Sequence, residues 1–290
     1  MATAVSLPAD RLAPIRGQRI HLREWPGEKR PFLLVHGLAS NCMTWEATAR
    51  RLHQAGHRVV SIDQRGHGLS SKPDTGYTFA DVTADLRDLT GHLQMRSPIV
   101  AGQSWGGNVV LEYAARFPSG PGGVVLVDGG FIDLQGSGNG GWEETAERLK
   151  PPALAGTPYA AMLQRMRQYH PDWSDEGIEH SLANFETLPN GAIRSWLTLD
   201  RHMQILRSLW EQRPHELYPR VQAPTLVLPA ENGPDERWAR KRDEVAAAEQ
   251  GLPNARVRWF EKTDHDIHVQ RPAELAGVLL DAVHDGFFPA

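Results

Sequence analysis

Apolar residues fall along the chain in short runs that are separated by longer amphipathic segments. Six such runs lie at residues 30–37, 57–66, 97–104, 122–130, 223–230 and 255–261. Runs that do not alternate with polar positions are typical of strands covered on both faces. The N-terminal residues 11–27 differ, because two half-alternating runs flank a glycine there. This pattern predicts an antiparallel hairpin at the edge of a sheet.

The segments between the apolar runs predict helices. In residues 78–93 the apolar positions recur every three or four residues, and they are Phe79, Val82, Leu86, Leu89 and Leu93. Residues 107–118 and 271–287 have a similar spacing, which is typical of a helix that buries one face. Alternating strands and helices predict an α/β fold, with a mostly parallel sheet and right-handed crossover connections.

One connection is much longer than the others. Between Gly130 and about Pro219 the sequence offers no strand candidate, and a glycine-rich stretch, QGSGNGG, opens the segment. Helix-like segments follow at residues 157–171, 174–185 and 201–214. A structureless loop of this length is uncommon in a compact domain, so we expect an inserted helical subdomain. The predicted organisation is a core domain over residues 1–132 and 220–290, with a helical cap, or lid, over residues 133–219.

Composition narrows the class of protein. A chain of 290 residues with 40% hydrophobic content can form one large domain with an insertion. Its net charge of −4, from 31 basic and 35 acidic residues, lacks the basic excess of a nucleic-acid-binding protein. Cys42 is the only cysteine, and no run of about 18 apolar residues or secretion signal is present. We expect a cytoplasmic protein with a small-molecule partner and no nucleic-acid or membrane partner, while the oligomeric state stays open.

A serine stands between two glycines in the stretch GQSWG, residues 102–106. A strand-like run precedes it and a helix-like segment follows, which is the context of a nucleophile elbow. In such a turn the flanking positions leave no room for side chains, so glycine is required on steric grounds. Ser104 is therefore predicted to be a nucleophile, with a merely structural turn serine as the alternative.

A nucleophilic serine of this kind needs two backbone amides that stabilise a developing oxyanion. Trp105, directly after the serine, supplies one candidate amide at the start of the predicted helix. The loop after the third strand reads LLVHGLAS, and the amide of Leu38 is the second candidate. His36 in the same loop is predicted to shape the loop rather than to react.

Taken together, these motifs resemble those of the α/β-hydrolase fold superfamily over essentially the whole chain. They are HG at residues 36–37, DQRGHGLSSKP at 63–73, GQSWGG at 102–107 and DHDIHVQRP at 264–272, with the insertion after the sixth strand. The resemblance implies an eight-stranded, mostly parallel sheet, a helical lid after strand six, and the chain order serine, acid, histidine. A serine at the elbow favours the esterase or lactonase-like branch. In the 63–73 loop, Asp63, Arg65 and His67 are predicted to hold loops together.

The resemblance also points to a catalytic histidine. In the family pattern it stands seven residues before a proline that opens the last helix, and Pro272 then indicates His265, with His268 as the weaker alternative. The chain departs from the pattern at Asp264, where glycine is usual. The DHDIH cluster could be interpreted as a zinc site, but no second cluster with matching spacing accompanies it, so no metal is predicted.

The acid is the least determined member of the predicted triad. The family usually places it three residues past a small residue that ends strand seven, and counting from Ala230 puts Gly233 there. Glu231 and Asp235 lie near enough to substitute. Another arrangement in this fold places the acid at the end of strand six, where this chain has Asp128. Because an imidazole needs an acceptor for its second ring proton, we favour Asp128 over Glu231 and Asp235.

The sequence therefore predicts a serine hydrolase that cleaves a carboxylic ester or lactone of a bulky, partly apolar small molecule through an acyl-enzyme, without a cofactor. Two alternatives stay open at this point. One is a ligand-binding or receptor-like protein of the same fold with little turnover, and the other is a lyase or cofactor-free oxygenase that uses the same pocket.

Overall fold

The computed structural model describes residues 8–136, 140–232 and 236–289. Its strands, in chain order, are β1 (Ala9–Ile15), β2 (Gln18–Trp25), β3 (Lys29–Val35), β4 (His57–Ile62), β5 (Ile99–Gln103), β6 (Gly123–Val127), β7 (Phe185–Thr187), β8 (Ile193–Ser195), β9 (Thr225–Leu228), β10 (Ala230–Glu231), β11 (Ala255–Val257) and β12 (Phe260–Glu261).

The helices, in chain order, are α1 (Glu46–Gln54), α2 (Phe79–His92), α3 (Trp105–Arg116), α4 (Trp142–Leu149), α5 (Tyr159–Tyr169), α6 (Asp175–Leu182), α7 (Leu199–Glu211), α8 (Pro214–Leu217), α9 (Glu236–Gly251), α10 (Ile267–Gln270) and α11 (Pro272–His284). Short 3₁₀ turns lie at Cys42–Trp45 and Tyr218–Arg220. Among the described residues, no helix has both the length and the hydrophobicity that crossing a bilayer demands.

Eight strands form the central sheet, in the order β1-β2-β4-β3-β5-β6-β9-β11. The β1–β2 and β2–β4 pairs are antiparallel and the other pairs are parallel. The predicted α/β class, the N-terminal edge hairpin and the eight-stranded, mostly parallel sheet are thus confirmed. The ends of neighbouring strands are level, since Val35 pairs with Gly102 and Gln103 pairs with Val127. Residues that directly follow β3, β5 and β6 therefore meet at one edge.

Both faces of the sheet are covered, which explains the unbroken apolar runs. Leu33 and Val35 of β3 face a cluster that includes residues of α2 and α3. Phe32 and Leu34, which alternate with them, face a second cluster built with residues of α1 and α11. Each such side chain contributes about 1.5–3 kcal/mol when it is fully buried. The sheet edge that carries the candidate site therefore has a rigid support.

The long connection between β6 and β9, residues 133–219 and here called the insertion, carries helices α4 to α8. The helices expected at residues 157–171, 174–185 and 201–214 are present as α5, α6 and α7. The expectation that this segment holds no strand was wrong, because β7 and β8 form an antiparallel hairpin. Each of these strands has three residues, too few for an alternation pattern to be visible in the sequence.

Candidate active site

Ser104 occupies a sharp turn between β5 and α3. Its backbone angles are φ 54° and ψ −125°, in the left-handed region that non-glycine residues rarely adopt. A Cβ atom on Gly102 would lie 2.1 Å from the carbonyl oxygen of Gly106, and one on Gly106 would lie 2.4 Å from the carbonyl oxygen of His36, so both flanking glycines are required by the close approach of backbone. The Ser104 N–H donates to the carbonyl of Val127 at 3.0 Å, which ties the turn to β6. This is the geometry that the GQSWG motif predicts.

The two candidate oxyanion amides lie beside this turn. A Cβ atom on Gly37 would come within 3.1 Å of the Cβ atom of Ser104, so the loop after β3 packs directly on the serine. Within the described part of the chain, neither the Leu38 nor the Trp105 amide donates to a protein acceptor. The Trp105 amide also stands at the positive end of the α3 dipole. Both amides are therefore available to an anionic oxygen.

Asp128 follows β6 and is almost completely enclosed, with 1% of its side chain exposed. Oδ2 accepts a hydrogen bond from Nδ1 of His265 at 2.5 Å. Oδ1 accepts from the amide of Ala230 at 2.9 Å and from Nζ of Lys241 at 2.8 Å. A Cβ atom on the next residue, Gly129, would lie 2.1 Å from the carbonyl oxygen of Ser104. The carboxylate is thus fixed next to the serine turn.

His265 lies in the loop between β12 and α10, at the same edge of the sheet. Gln103 donates from Nε2 to the His265 carbonyl at 3.2 Å, which places the histidine loop against the residue that precedes Ser104. Half of the His265 side-chain surface is exposed to solvent. Burial opposes protonation, but the hydrogen bond and the charge of Asp128 outweigh it and raise the pKa of His265. The same pair, with Lys241, lowers the pKa of Asp128 despite its burial.

The structure brings His265 and Asp128 into direct contact, but among the described residues it shows no hydrogen bond between Ser104 and His265. Within the described residues, the Ser104 hydroxyl makes no hydrogen bond, so its interaction with His265 is part of the functional proposal below. The bond from Nδ1 to Asp128 leaves Nε2 of His265 without a partner among these residues. In ligand-free enzymes, catalytic hydrogen bonds are often long and tighten only in the complex.

His268, the weaker histidine candidate, lies away from this contact. Its ring is fully buried and packs on Trp45, with the ring centroids 4.6 Å apart. Both ring nitrogens lack a hydrogen-bond partner in the described residues, and burial lowers the pKa of His268 to about 3. The first aspartate of the DHDIH cluster, Asp264, accepts from Nδ2 of Asn232 at 2.5 Å. The cluster therefore does not converge on one point.

Glu231, the alternative acid that lies within the described residues, is not bonded to the histidine there. Glu231 forms an ion pair with Arg242, and its own backbone carbonyl accepts from the amide of Thr263 at 3.2 Å. Asp235, like Gly233, lies outside the described residues. Of the two candidates that can be located, Asp128 is the one bonded to His265.

The 63–73 loop holds the rest of the site edge in place. Asp63 accepts from His21 Nδ1 at 2.8 Å and from the amides of Cys42 and Leu69. Among the described residues, His21, Cys42 and Asp63 are the one group whose ligand atoms lie close enough to hold a metal ion, within 4.8 Å of one another. Because the Asp63 oxygens already bind these donors, the cluster is accounted for as a hydrogen-bonded support.

A cavity of about 770 Å³ lies between the insertion and the core loops that follow β3 and β4. Ala39, Ser40 and His67 line its core side, and His67 also stacks on Trp105, with the ring centroids 5.7 Å apart. Its remaining wall, from the insertion, is mostly apolar and includes Pro151, Pro152, Leu154, Phe185, Trp196 and Leu197. The first core residue that lines the cavity, Ala39, directly follows Leu38 in the chain.

Sequence reasoning missed Lys241, which donates to both oxygens of Asp128 and to the carbonyl of Ala230 at 2.8–3.0 Å. Its helix, α9, has a weak apolar pattern and gave no helix prediction. The residues around Lys241 in the sequence do not indicate that it binds Asp128, because the two residues are 113 positions apart in the chain. The register of α9 against β9 was the missing information.

Comparison with known proteins defines the class. A sequence model of the alpha/beta hydrolase family matches residues 32–278 of this chain. This span is most of the chain and includes Ser104, Asp128 and His265. The chain therefore belongs to the alpha/beta hydrolase family, as the sequence motifs predicted.

Individual relatives are more distant. A non-heme haloperoxidase from Rhodococcus erythropolis is 24% identical over 255 residues, which are 86% of this chain and 90% of the relative. Two further curated relatives, 36% and 35% identical, align over only 34% and 37% of their own length. The activities of these relatives consequently do not transfer to this chain as findings.

Solved structures agree in fold. An E-2-(acetamidomethylene)succinate hydrolase superposes with a TM-score of 0.80 at 21% identity, covering 96% of this chain and 99% of the other. An enol-lactonase from Burkholderia xenovorans LB400 superposes with a TM-score of 0.66 at 19% identity, covering 94% and 99%. At such identities the likeness establishes the fold.

Proposed function

We propose that this protein is a serine hydrolase that cleaves a carboxylic ester or lactone through an acyl-enzyme. The observation that carries the proposal is the 2.5 Å bond between Asp128 and His265, set beside a serine in a strained strand-to-helix turn. Ser104, His265 and Asp128 take the roles of nucleophile, base and acid. Because His265 is bonded to an acid, we favour a hydrolase over the receptor-like alternative.

In the first half of the reaction, neutral His265 accepts the Ser104 proton at Nε2 while the serine oxygen attacks the substrate carbonyl. Asp128 stays ionised, holds the ring through Nδ1 and stabilises the imidazolium that forms. The oxyanion of the tetrahedral intermediate accepts hydrogen bonds from the Leu38 and Trp105 amides. His265 then gives its proton to the departing alkoxide, and the acyl group remains on Ser104.

Water completes the cycle. His265 removes a proton from a water molecule that attacks the acyl carbonyl, and the same two amides stabilise the second oxyanion. The collapse of this intermediate returns the proton to Ser104 and releases a carboxylic acid. For a lactone, the leaving hydroxyl stays on the same product molecule, so ring opening gives one hydroxy acid.

The insertion acts in this proposal as the lid over the site. Its Phe185 and Trp196 face the core loops across the 770 Å³ cavity, whose volume falls in the range of small-molecule sites. Apolar walls with few polar groups favour a bulky, partly apolar substrate. Ala39, which follows Leu38 in the chain, lines the cavity, so we place the substrate with its carbonyl end toward the proposed oxyanion amides.

The experiment that tests the function is steady-state hydrolysis of short 4-nitrophenyl esters by the wild-type protein and by Ser104→Ala. Removal of the nucleophile is expected to lower kcat by roughly 10⁵-fold or more, while the fold is retained. Ser119→Ala, at an exposed serine that does not line the cavity, is the matched control and is expected to keep its activity. Hydrolysis by Ser104→Ala at the wild-type rate would refute the proposal.

A further inference from the structure

The cavity between the insertion and the core has an excess of positive charge. Its charged lining residues are Lys72, Lys150, Arg194 and Arg201, with one acid, Glu186. Arg194 pairs with Glu186, and Arg201 pairs with Asp74 at 2.9 Å. Neither Lys72 nor Lys150 forms a salt bridge with any of the described residues. Asp63 and Glu186 act on Lys72 only at longer range, so neither ammonium has a carboxylate in direct contact among the described residues.

Of the two lysines, Lys72 is the one whose ammonium group contacts other described residues. Its Nζ donates to the carbonyls of Gly68 and Ser70 at 2.7 and 2.9 Å and lies 4.8 Å from the ring centroid of Trp196. These contacts fix the ammonium but bring no negative charge to it. An ammonium has three N–H groups, so one remains after the two carbonyls are served. A half-buried cation without a directly bonded counter-ion favours an anionic ligand.

A second polar side chain in this cavity makes no hydrogen bond to the described residues. His202, on α7, is only 8% exposed, lines the cavity, and makes no side-chain hydrogen bond to the described residues. Burial lowers the pKa of His202 to about 4, so the ring is neutral at pH 7 and offers one donor and one acceptor. Apolar side chains such as Leu154 and Phe185 form the wall beside it.

We infer, on the basis of the proposed function, that the substrate carries a second acidic group, a carboxylate, that does not react and binds in this cavity at Lys72. The apolar body of the substrate packs between Phe185 and the proline-rich wall, and His202 hydrogen-bonds a polar atom along it. Lys72 has one N–H group left to donate, and Arg194 and Arg201 are paired with carboxylates, so binding at Lys72 suits a monoanion better than a phosphate dianion, which needs more donors.

The test uses 4-nitrophenyl monoesters of linear dicarboxylic acids with four to eight carbons, each compared with the neutral ester in which the distant carboxyl is methylated. The wild-type protein is expected to favour the acid ester in kcat/KM by about tenfold or more at the best length. Lys72→Met should abolish this preference by slowing only the acid ester, and Lys72→Arg should keep it. Lys29→Met, an exposed lysine at the opposite end of β3, should change neither ester.

Added salt provides a check that needs no variant, because it should reduce the acid preference of the wild-type protein by screening the cavity charge. The inference is overturned if the acid ester is not preferred at any length, or if Lys72→Met slows both esters equally. If the wild-type protein hydrolyses neither ester, the proposed function fails on its own. Calorimetric titration with the free diacids then decides: binding that Lys72→Met abolishes supports the inference, and no binding overturns it.

A different observation, the contact between α9 and Asp128, carries a second inference. Lys241 Nζ lies 2.8 and 3.0 Å from the two oxygens of Asp128, 3.0 Å from the carbonyl of Ala230, and 4.5 Å from the ring centroid of Trp238. We propose that Lys241 is a positioning residue, which fixes the Asp128 carboxylate toward His265 and limits the stabilisation of the imidazolium by Asp128.

Several charged groups face this pair. Asp128 and Asp266 raise the pKa of His265, and Lys241 lowers it. Asp264, Asp266, His170 and His268 are the other titratable neighbours. Lys241 is the cation bonded to the acid, so its removal leaves the carboxylates unopposed and the pKa of His265 rises further. Because the reaction uses neutral His265, activity should then be lost at a higher pH as the solution is acidified.

Lys241→Met is expected to move the acidic limb of the pH profile of kcat/KM upward by about half a unit or more. Lys241→Arg should restore it. Arg242→Met is the matched control, because Arg242 is the next residue of α9 and pairs with Glu231 instead. Nuclear magnetic resonance titration measures the pKa of the His265 ring directly, and the His265→Gln variant assigns its signal. This measurement needs no turnover, so it tests the inference even if Ser104 is not a nucleophile. An unchanged His265 pKa in Lys241→Met, or an equal shift in Arg242→Met, would overturn this inference.

Discussion

Two carboxylates at neighbouring strand ends are each held by a cation from the same helix, yet they stand in different chemical positions. Lys241 binds Asp128 after β6, and the adjacent Arg242 binds Glu231 in β10. The Asp128 side chain is 1% exposed and accepts from His265, whereas the Glu231 side chain is 19% exposed and, within the described residues, is not bonded to the histidine. The hydrogen bond to His265, rather than proximity to the usual place in the sequence, is therefore the basis for proposing Asp128 as the triad acid.

Backbone pairing is the reason for this difference. Ala230 and Glu231 pair in parallel with Phe260 and Glu261, so the end of this small sheet runs alongside the start of the histidine loop. Asp128 instead follows directly after β6 with φ 43°, a left-handed angle that turns the chain at the end of the strand. Asp128 Oδ1 then accepts a hydrogen bond from the Ala230 amide, while Oδ2 accepts one from the His265 ring.

Asp128→Asn is expected to have the largest effect on this comparison. The amide cannot stabilise the imidazolium and offers the ring the wrong hydrogen-bonding partner, so kcat should fall by roughly 10⁴-fold. Kinetics of ester hydrolysis measure the loss, and a circular dichroism melt checks the fold because Lys241 loses its counter-ion. An Asp128→Asn protein that folds and turns over normally would assign the acid elsewhere.

Gly129→Ala tests whether the turn after Asp128 supports the serine. The new Cβ atom would lie 2.1 Å from the Ser104 carbonyl oxygen, a backbone atom that cannot move without shifting the elbow. We expect a loss of stability of about 1–3 kcal/mol with a clear loss of kcat, measured by urea unfolding and ester hydrolysis. Gly277→Ala is the matched control, since no atom lies within 4 Å of its added Cβ atom. Unchanged stability in Gly129→Ala would contradict the close approach.

The pH profile of the wild-type protein sharpens the assignment of the base. Because Asp128 raises the pKa of His265, kcat/KM should begin to fall at a higher pH than it would for an ordinary histidine as the solution is acidified. Activity should be complete above that pKa and lost below it. A profile with no ionisation in the histidine range would argue against His265 as the base.

Glu231→Gln is expected to have the smallest effect. The substitution removes the ion pair with Arg242, a partly exposed pair worth at most about 1 kcal/mol, and leaves the Asp128–His265 bond intact. Turnover should stay within about twofold of the wild type. A loss as deep as that of Asp128→Asn would reverse the comparison.

Much of the fold could be predicted from the sequence because strands buried on both faces leave unbroken apolar runs. The 97–104 and 122–130 runs became β5 and β6, and Gly102 with Gly106 marked the turn at Ser104. The histidine came from its distance to Pro272, a property of the family pattern. Local sequence was sufficient wherever the chemistry requires a particular local backbone.

The parts that could not be predicted depend on contacts between distant segments. The sequence favoured Asp128 over Glu231 and Asp235, but the bond between Asp128 and His265 depends on tertiary packing that no spacing records. Lys241 required the register of α9, and the unpaired charge of Lys72 required the packing of the insertion on the core. In each case the chemistry arises from tertiary neighbours rather than from a motif.

The most direct test of the central claim is covalent labelling with a fluorophosphonate ester, read by intact mass and by peptide mapping. The account predicts one adduct per chain, located on Ser104, with labelling slowed strongly in Asp128→Asn and unchanged in Glu231→Gln. An adduct on another residue, or a protein that hydrolyses esters while Ser104 stays unlabelled, would contradict it.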